Sequence, residues 1–158
     1  MSKEYDLDVD VHVEIKKSIP VAGGMAGGSA DAAATIVAID YLFSLGMSRE
    51  EMHEIAAQLG SDVPFMLSGG TSIGTSHGEQ LTAALSRGTY HWVLALSTTG
   101  LSTPAVYGEC DRLRAESVIA EPQTNELLMQ ALLAADPKAV GAYLVNDLQA
   151  AACSLRPA

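Results

Sequence analysis

The chain opens on a strictly alternating pattern of apolar and polar residues. From Leu7 to Ile15 every second residue is apolar, and the residues between them are acidic or histidine. An alternation with a period of two is typical of a strand that buries one face. We therefore predict a half-buried strand over 7–15, with His12 on its solvated face.

Several later stretches carry helical signals. Ser48 stands three residues before Glu51, which predicts a capping box at the start of a helix. Thr103 followed by Pro104 predicts another helix start, because proline fits the first helical position and threonine can cap it. The predicted helices run over Ala32–Leu45, from Ser48 to Leu59 with a stop at Gly60, over Thr103–Arg114 and Thr124–Ala134, and from Asp136 and Pro137 through Leu144.

Two other regions favour strands. The pair Gly69 and Gly70 opens a stretch rich in threonine, serine and glycine, which predicts short strands around Ile73 and Leu81. The short apolar run 91–96 contains Trp92 and is consistent with a buried strand, which we predict there on account of its length.

Composition and charge narrow the classes of function. Of the 158 residues, 48% are hydrophobic, which is enough for a folded core, and the net charge of -10 argues against nonspecific binding to nucleic acid or an anionic membrane. No apolar run approaches the roughly 18 residues of a membrane helix, and the start is acidic, so we expect a cytoplasmic location. Cys110 and Cys153 lack metal-type spacing and predict free thiols.

The most informative segment is a glycine cluster between Pro20 and Ser29, which precedes the predicted alanine-rich helix. Glycines let the backbone approach a ligand closely, and the positive end of the following helix adds to anion binding. No lysine follows Gly28, which excludes a P-loop, and Met25 and Ala26 break the dinucleotide-binding fingerprint. A loop that merely lets the helix pack closely on a sheet remains an equal alternative on composition alone.

This segment resembles the second conserved motif of the GHMP kinase superfamily. Its form is similar to that of the branch that phosphorylates 4-diphosphocytidyl-2-C-methyl-D-erythritol. The resemblance implies that the loop wraps the phosphates of ATP and that Mg²⁺ accompanies the nucleotide, with Ser29 as its possible protein ligand. The implied ATP-binding residues are Pro20, Gly23, Gly24, Met25, Ala26, Gly27, Gly28 and Ser29.

Two further segments are similar to the same branch. Leu59–Phe65 resembles its L-G-[AS]-D-V-P motif, which implies that Asp62 is the catalytic base. Gly100–Tyr107 is similar to the segment that holds the cytidine end of the substrate, which implies contacts from Thr103 and stacking by Tyr107. A plain capped helix with an exposed tyrosine is the alternative for this last segment.

The resemblance also implies motifs that this sequence lacks. The family's P-x-K-x-N-L motif, whose lysine assists the catalytic base, a D-G-Y-H segment and a late G-S-G-P-T loop do not occur. Lys16 and Lys17 stand at the end of the predicted first strand, where solvated lysines are ordinary. We therefore expect a fragment that covers roughly the middle half of the family's length, and its activity alone stays open.

The implied fold is the α+β architecture of GHMP kinases, with both domains incomplete. We expect a partial ATP-binding domain over 1–88, of the S5 domain 2-like type, and a partial ferredoxin-like domain over 89–158. Incomplete sheets expose edges, so we also expect self-association. The alternatives are a noncatalytic nucleotide-binding fragment, or a kinase of another GHMP branch that acts on a substrate such as homoserine or mevalonate.

Overall fold

The computed structural model describes residues 5, 7, 10–21, 23–97, 99–119 and 121–157. They form two compact units. One contains the described residues up to Val21 together with Met25–Ala83, and the other contains Gly23, Gly24 and the described residues of 84–158. The first unit carries helices α1 (Gly27–Phe43), α2 (Arg49–Leu59) and α3 (Val63–Ser68) and strands β1 (Ser72–Thr75) and β2 (Gln80–Ala83); the second carries helices α4 (Thr103–Arg114), α5 (Glu126–Ala134), α6 (Pro137–Tyr143) and α7 (Gln149–Leu155).

Helix α1 confirms the predicted alanine-rich helix but begins five residues earlier than the predicted start at Ala32. Ala26 precedes it in a left-handed conformation (φ 48°), and Ser44 ends it in the same conformation (φ 51°). The helix therefore takes in the last two glycines of the cluster. This brings its first turn directly into the glycine-rich segment.

Helix α2 has the bounds that its capping box predicts. The Glu51 carboxylate accepts a hydrogen bond from the Ser48 amide at 2.7 Å, and the Ser48 hydroxyl accepts one from the Glu51 amide at 3.2 Å. The hydrogen bonds from the Ser48 backbone and side chain lower the pKa of Glu51. The reciprocal pair satisfies two of the amides that a helix start otherwise leaves unpaired.

The core of the first unit lies where α1, α2 and α3 meet. Ile36 of α1 and Ala56 of α2 are almost completely buried, at 1% and 0% exposure. The Met47 amide donates to the Asp40 carboxylate at 2.9 Å, which fixes the connection between α1 and α2. The buried members of this core are Ala33, Ile36, Met47, Ile55, Ala56 and Val63.

Strands β1 and β2 lie where short strands were predicted, around Ile73 and Leu81, and they pair as an antiparallel hairpin. Ser72 pairs with Ala83 and Thr75 with Gln80. Four residues therefore make the connecting turn, and it lies in the same unit as the three helices.

The second unit is helical in its described part and has two small cores. Val106 and Cys110 of α4 pack with Ala151 of α7. Ala131 and Leu132 of α5 pack with residues of α6. The predicted helices over 124–134 and 137–144 are confirmed as α5 and α6, with Asn125 capping the Leu128 amide of α5 at 3.1 Å.

Two predicted strands are wrong. In the first stretch, Asp8 and Val9 lie outside the described residues, and residues 7 and 10–15 lie in no strand, with Val13 and Ile15 51% and 53% exposed. The run 91–96 likewise has no regular structure, and Val93 in it is fully exposed. A strand is held by a neighbouring strand, and neither stretch is paired with one among the described residues.

Smaller differences concern helix ends and short helices. Ser102, and not Thr103, precedes α4, and its side chain makes no capping hydrogen bond; Thr103 is the first helical residue. Helices α3 and α7 fall where no helix was predicted. Helices and a small sheet are consistent with the α+β class, while a ferredoxin-like second domain stays a prediction. None of the described helices is both long and apolar enough to span a membrane.

Candidate functional site

The glycine cluster gives α1 an unusual start. Gly24 has φ +67°, and Ala26 also lies in the left-handed region. Among the described residues the Ala30 amide is the first in the helix to find an acceptor, the Ala26 carbonyl at 3.0 Å. The amides of Gly27, Gly28 and Ser29 therefore stay available at the positive end of a 17-residue helix.

Gly27 is required by a close approach of the preceding segment. A Cβ atom at this position would lie 2.9 Å from Ile19 Cγ2 and 3.3 Å from Lys17 Nζ. Gly28 has nothing within 4 Å of the same position. The two glycines thus differ: Gly27 accommodates the chain that leads into the cluster, and Gly28 faces open space.

Lys17 forms an ion pair with Asp31, a residue in the second turn of α1. Each side chain is about one-third exposed. The hydroxyl of Thr35 donates to the Asp31 carbonyl at 2.8 Å, one turn further along. This pair places an ammonium group beside the start of α1, a position that sequence reasoning missed because a separation of fourteen residues matches no helix or strand spacing.

The remaining residues of the predicted ATP loop differ in exposure. Pro20, Gly23 and Gly24 are exposed, whereas Met25 and Ser29 are half-buried. The Ser29 hydroxyl makes no hydrogen bond to any residue that the structure describes. It is therefore free to meet a ligand at the first turn of α1.

Asp62 lies at the junction between α2 and α3. It precedes α3 with φ -86° and ψ -14°, and its carbonyl accepts from the Met66 amide at 3.3 Å. Its side chain is exposed and makes no capping bond. Since α1 and α3 pack against each other, the first turn of α1 and Asp62, the residue before α3, lie in the same unit.

An apolar groove of about 520 Å³ runs along the contact between α1 and α3. Small side chains of α1 form its floor, which is why it is open to this extent. Its lining residues are Ala30, Ala33, Ala34, Val37, Ala38, Tyr41, Met66 and Leu67.

Thr103 and Tyr107 lie one helical turn apart on α4, in the second unit. Both are exposed, Tyr107 to 55%, while Val106 and Cys110 on the same helix are buried. The structure thus brings the two predicted substrate contacts to one exposed face of α4. The alternative of a plain helix with an exposed tyrosine fits the same geometry.

The donor groups bear on how a magnesium ion could be held. Among the residues described, no three His, Cys, Asp or Glu side chains come together as metal ligands. Mg²⁺ is commonly held by one or two protein oxygens together with the phosphates of a nucleotide. The unengaged hydroxyl of Ser29 fits that arrangement as a single protein oxygen.

Comparisons with known proteins all find kinases. Residues 1–70 match the family model described as GHMP kinases N terminal domain. A protein of Mycolicibacterium smegmatis named 4-diphosphocytidyl-2-C-methyl-D-erythritol kinase is 56% identical over 150 residues, which cover 94% of this chain and 47% of that protein. Proteins of the same name from Rhodococcus jostii and Streptomyces avermitilis are 57% and 51% identical, over 94% and 99% of this chain and 48% and 53% of theirs. The chain thus spans about half the length of these curated relatives.

Proposed function

Because this chain belongs to the GHMP kinase family, we propose that it forms part of a kinase that phosphorylates the 2-hydroxyl of 4-diphosphocytidyl-2-C-methyl-D-erythritol with ATP, in the non-mevalonate pathway of isoprenoid synthesis. The identity of 51–57% to proteins named for this reaction, over more than nine-tenths of the chain, carries the proposal. The name that these relatives share supports this substrate over homoserine or mevalonate.

In this proposal the start of α1 binds the phosphates of ATP. The free amides of Gly27, Gly28 and Ser29, together with the helix dipole, supply partial positive charge without a basic surface, as a chain of net charge -10 requires. Phosphoryl transfer depends mainly on alignment and on neutralising charge on the transferred group. The proposal assigns the remaining loop residues, Pro20 and Gly23–Ala26, to ATP binding by their match to the family's motif.

Asp62 is the proposed base. The 2-hydroxyl oxygen attacks the γ-phosphorus, the bond from that phosphorus to the bridging oxygen of ADP breaks, and the hydroxyl proton passes to the Asp62 carboxylate. The exposed, uncapped side chain supports this role, since no described group occupies its oxygens. Lys17 is engaged by Asp31, so the structure offers no sign that it replaces the lysine of the family's absent motif.

The cytidine end of the substrate is proposed to bind at α4. Tyr107 has an exposed ring that can stack on a base, and Thr103 adds a hydroxyl one turn before it. Magnesium is proposed to bind with ATP, where it neutralises phosphate charge, and Ser29 is its proposed protein contact. The division into a partial ATP-binding domain over 1–88 and a partial second domain over 89–158 remains part of this proposal.

The exposed apolar surface and the use of ATP support two further predictions, self-association and a cytoplasmic location. The apolar side chains of 91–96, with Trp92 63% exposed, support self-association through this segment. A reaction that consumes ATP agrees with the predicted cytoplasmic location.

A phosphorus NMR assay tests the function. The purified chain is mixed with Mg-ATP and 4-diphosphocytidyl-2-C-methyl-D-erythritol, beside Asp62→Asn, which keeps the shape but removes the base, and Asp10→Asn, an exposed aspartate of the same unit. Whether the chain is active alone stays open; turnover would give ADP and a new phosphomonoester signal with the unmodified chain and with Asp10→Asn, and Asp62→Asn should then lose about 10²- to 10⁴-fold in rate.

The other outcomes separate the alternatives. Broadened ATP signals without turnover in any of the three proteins would identify a nucleotide-binding fragment that does not catalyse the reaction. Turnover that survives unchanged in Asp62→Asn would show that Asp62 is not the base.

A further inference from the structure

The turn that joins β1 and β2, residues 76–79, is held by one backbone hydrogen bond and one bond to a side chain. The Gly78 amide donates to the Thr75 carbonyl at 3.0 Å, and the His77 amide donates to the Glu79 carboxylate at 3.0 Å. Ser76 and Gly78 both have positive φ, at 61° and 104°. Glu79 thus acts as a brace across a turn in which two residues adopt left-handed or otherwise disfavoured backbone angles.

This turn lies against the chain just before Asp62. A Cβ atom on Gly78 would be 3.9 Å from the Cβ atom of Ser61, the residue that precedes Asp62. A Cβ atom on Gly74 would be only 3.0 Å from the Gly78 carbonyl oxygen, so the turn also folds tightly on its own strand. The turn therefore lies beside the junction between α2 and α3.

Side chains from both sides meet in a small groove of about 430 Å³. The end of α2 and the junction contribute Ala57, Gln58 and Ser61, and the turn contributes His77 and Glu79. The groove is therefore the surface along which the turn and the junction face each other.

Asp62 depends on such support from outside. Its side chain makes no capping hydrogen bond to α3, and among the described residues it has no other partner. The backbone of the junction therefore sets the position of the Asp62 Cβ atom, while no bond to a described residue fixes the carboxylate itself. Contacts that fix the position of Ser61 therefore also fix the backbone of Asp62, the proposed base.

We propose that Glu79 is a positioning residue for Asp62, acting through the turn 76–79 and its contact with Ser61. The inference rests on the proposed role of Asp62 as the base. Glu79 itself takes no proton from the substrate; it keeps the turn in the one conformation that fits against the junction.

The charges around Glu79 define how this support responds to pH. His77 is the other titratable group on the turn. Gln58 and Ser61, which are uncharged, line the same groove from α2 and the junction, and Asp62 follows Ser61 in the chain. The backbone amide of Glu79 itself lowers the pKa of its carboxyl, partial burial opposes this, and Ser76 and His77 lower it further. Because that pKa is depressed from 4.5, the brace is present above this value and is lost as the pH falls through the lowered pKa.

The test compares Glu79→Gln with Glu14→Gln, an exposed glutamate of the same unit, by amide NMR and hydrogen exchange. In Glu79→Gln we expect the His77 amide to exchange up to about fivefold faster, because the neutral amide oxygen of glutamine accepts a weaker hydrogen bond than a carboxylate, and we expect the Ser61 and Asp62 amide signals to shift. Glu14→Gln should leave all three amides unchanged. Faster exchange at His77 with unmoved Ser61 and Asp62 signals would overturn the proposal, because the turn would then be a local feature only.

A pH titration of variants that carry Asp62→Asn separates the ionisation of Glu79 from that of Asp62. In an Asp62→Asn background the Ser61 amide should still shift as the pH falls below 4.5, and this step should vanish when Glu79→Gln is added. A step that persists without Glu79 contradicts the proposal. Should Glu79→Gln fail to fold, Gly78→Ala, which strains the turn at φ +104°, must move the same Ser61 and Asp62 signals, and unchanged signals there would refute the support.

The same spectra keep this inference separate from the proposed kinase function. Addition of Mg-ATP should perturb the amides of Gly27, Gly28 and Ser29 equally in the unmodified chain and in Glu79→Gln. No perturbation in either protein would count against the phosphate loop while leaving the support of Asp62 to be judged by its own signals.

Discussion

Replacing Gly27 with alanine would test whether the close approach of Ile19 sets the position of the glycine cluster. The added Cβ atom would lie 2.9 Å from Ile19 Cγ2 and 3.1 Å from Ile19 Cβ, well inside the 3.5–4.0 Å at which carbon atoms attract each other. Gly28→Ala is the matched control, because nothing lies within 4 Å of its Cβ position and it occupies the same helical turn.

Two contributions of opposite sign set the effect of these substitutions on the free energy of unfolding. Alanine in place of glycine favours a helix by up to about 1 kcal/mol, and this gain applies to both variants. Overpacking costs about 1–3 kcal/mol and applies to Gly27→Ala alone. The difference in unfolding free energy between the two variants is therefore expected to be about 1–3 kcal/mol, with Gly28→Ala the more stable.

The assay is a urea titration followed at the amide signals of α1, together with the methyl signals of Ile19. Ile19 is 37% exposed and lies outside regular structure, so part of the strain can be relieved by moving it away from the helix. In that case the difference in unfolding free energy between the two variants falls to about 1 kcal/mol, and the Ile19 methyl signals shift. Equal midpoints for the two variants, with Ile19 unmoved, would refute the reasoning.

Two further predictions concern the stability of the two units. Ile36→Ala should destabilise the first unit by about 2–5 kcal/mol, because Ile36 is 1% exposed, whereas Val37→Ala, at 48% exposure, should cost far less in the same urea titration. In the second unit, hydrogen bonds from Arg112 and Ser154 lower the pKa of Glu109 from 4.5 to about 2. The stability that this group contributes is therefore complete above 4.5 and is lost as the pH falls towards 2, and circular dichroism should show this acid step weakened in Glu109→Gln but not in Glu116→Gln.

Elements with local signals could be predicted from the sequence. Helix α2 has the predicted bounds because Ser48 and Glu51 are partners three residues apart, so the interaction that starts the helix lies within one turn. The hairpin strands lie where predicted for a similar reason, since glycines around them permit the tight turn. Helix α3 escaped prediction because six residues with Pro64 among them are too few to show helical periodicity.

Features that depend on distant partners could not be predicted. The alternation over 7–15 is a real pattern, but a strand also requires a neighbour, and periodicity does not say whether one is present. Lys17 was interpreted as a solvated lysine, yet the structure pairs it with Asp31. For the candidate site, the cluster and Asp62 were proposed from the sequence and stay predictions, while the close approach of Ile19 to Gly27 and the contact of the turn 76–79 with Ser61 emerged only from the fold.

The ion pair between Lys17 and Asp31 makes the contact of residues 10–21 with α1 sensitive to ionic strength. Over 10–21 it is the one side-chain bond to other described residues, and both groups are about one-third exposed. Dissolved ions screen such a pair over about 10 Å at 0.1 M and about 3 Å at 1 M, whereas they leave the buried contacts of Ile36 and Ala56 intact. High salt should therefore weaken this ion pair while the approach of Ile19 to Gly27 and the core around α1 stay in place.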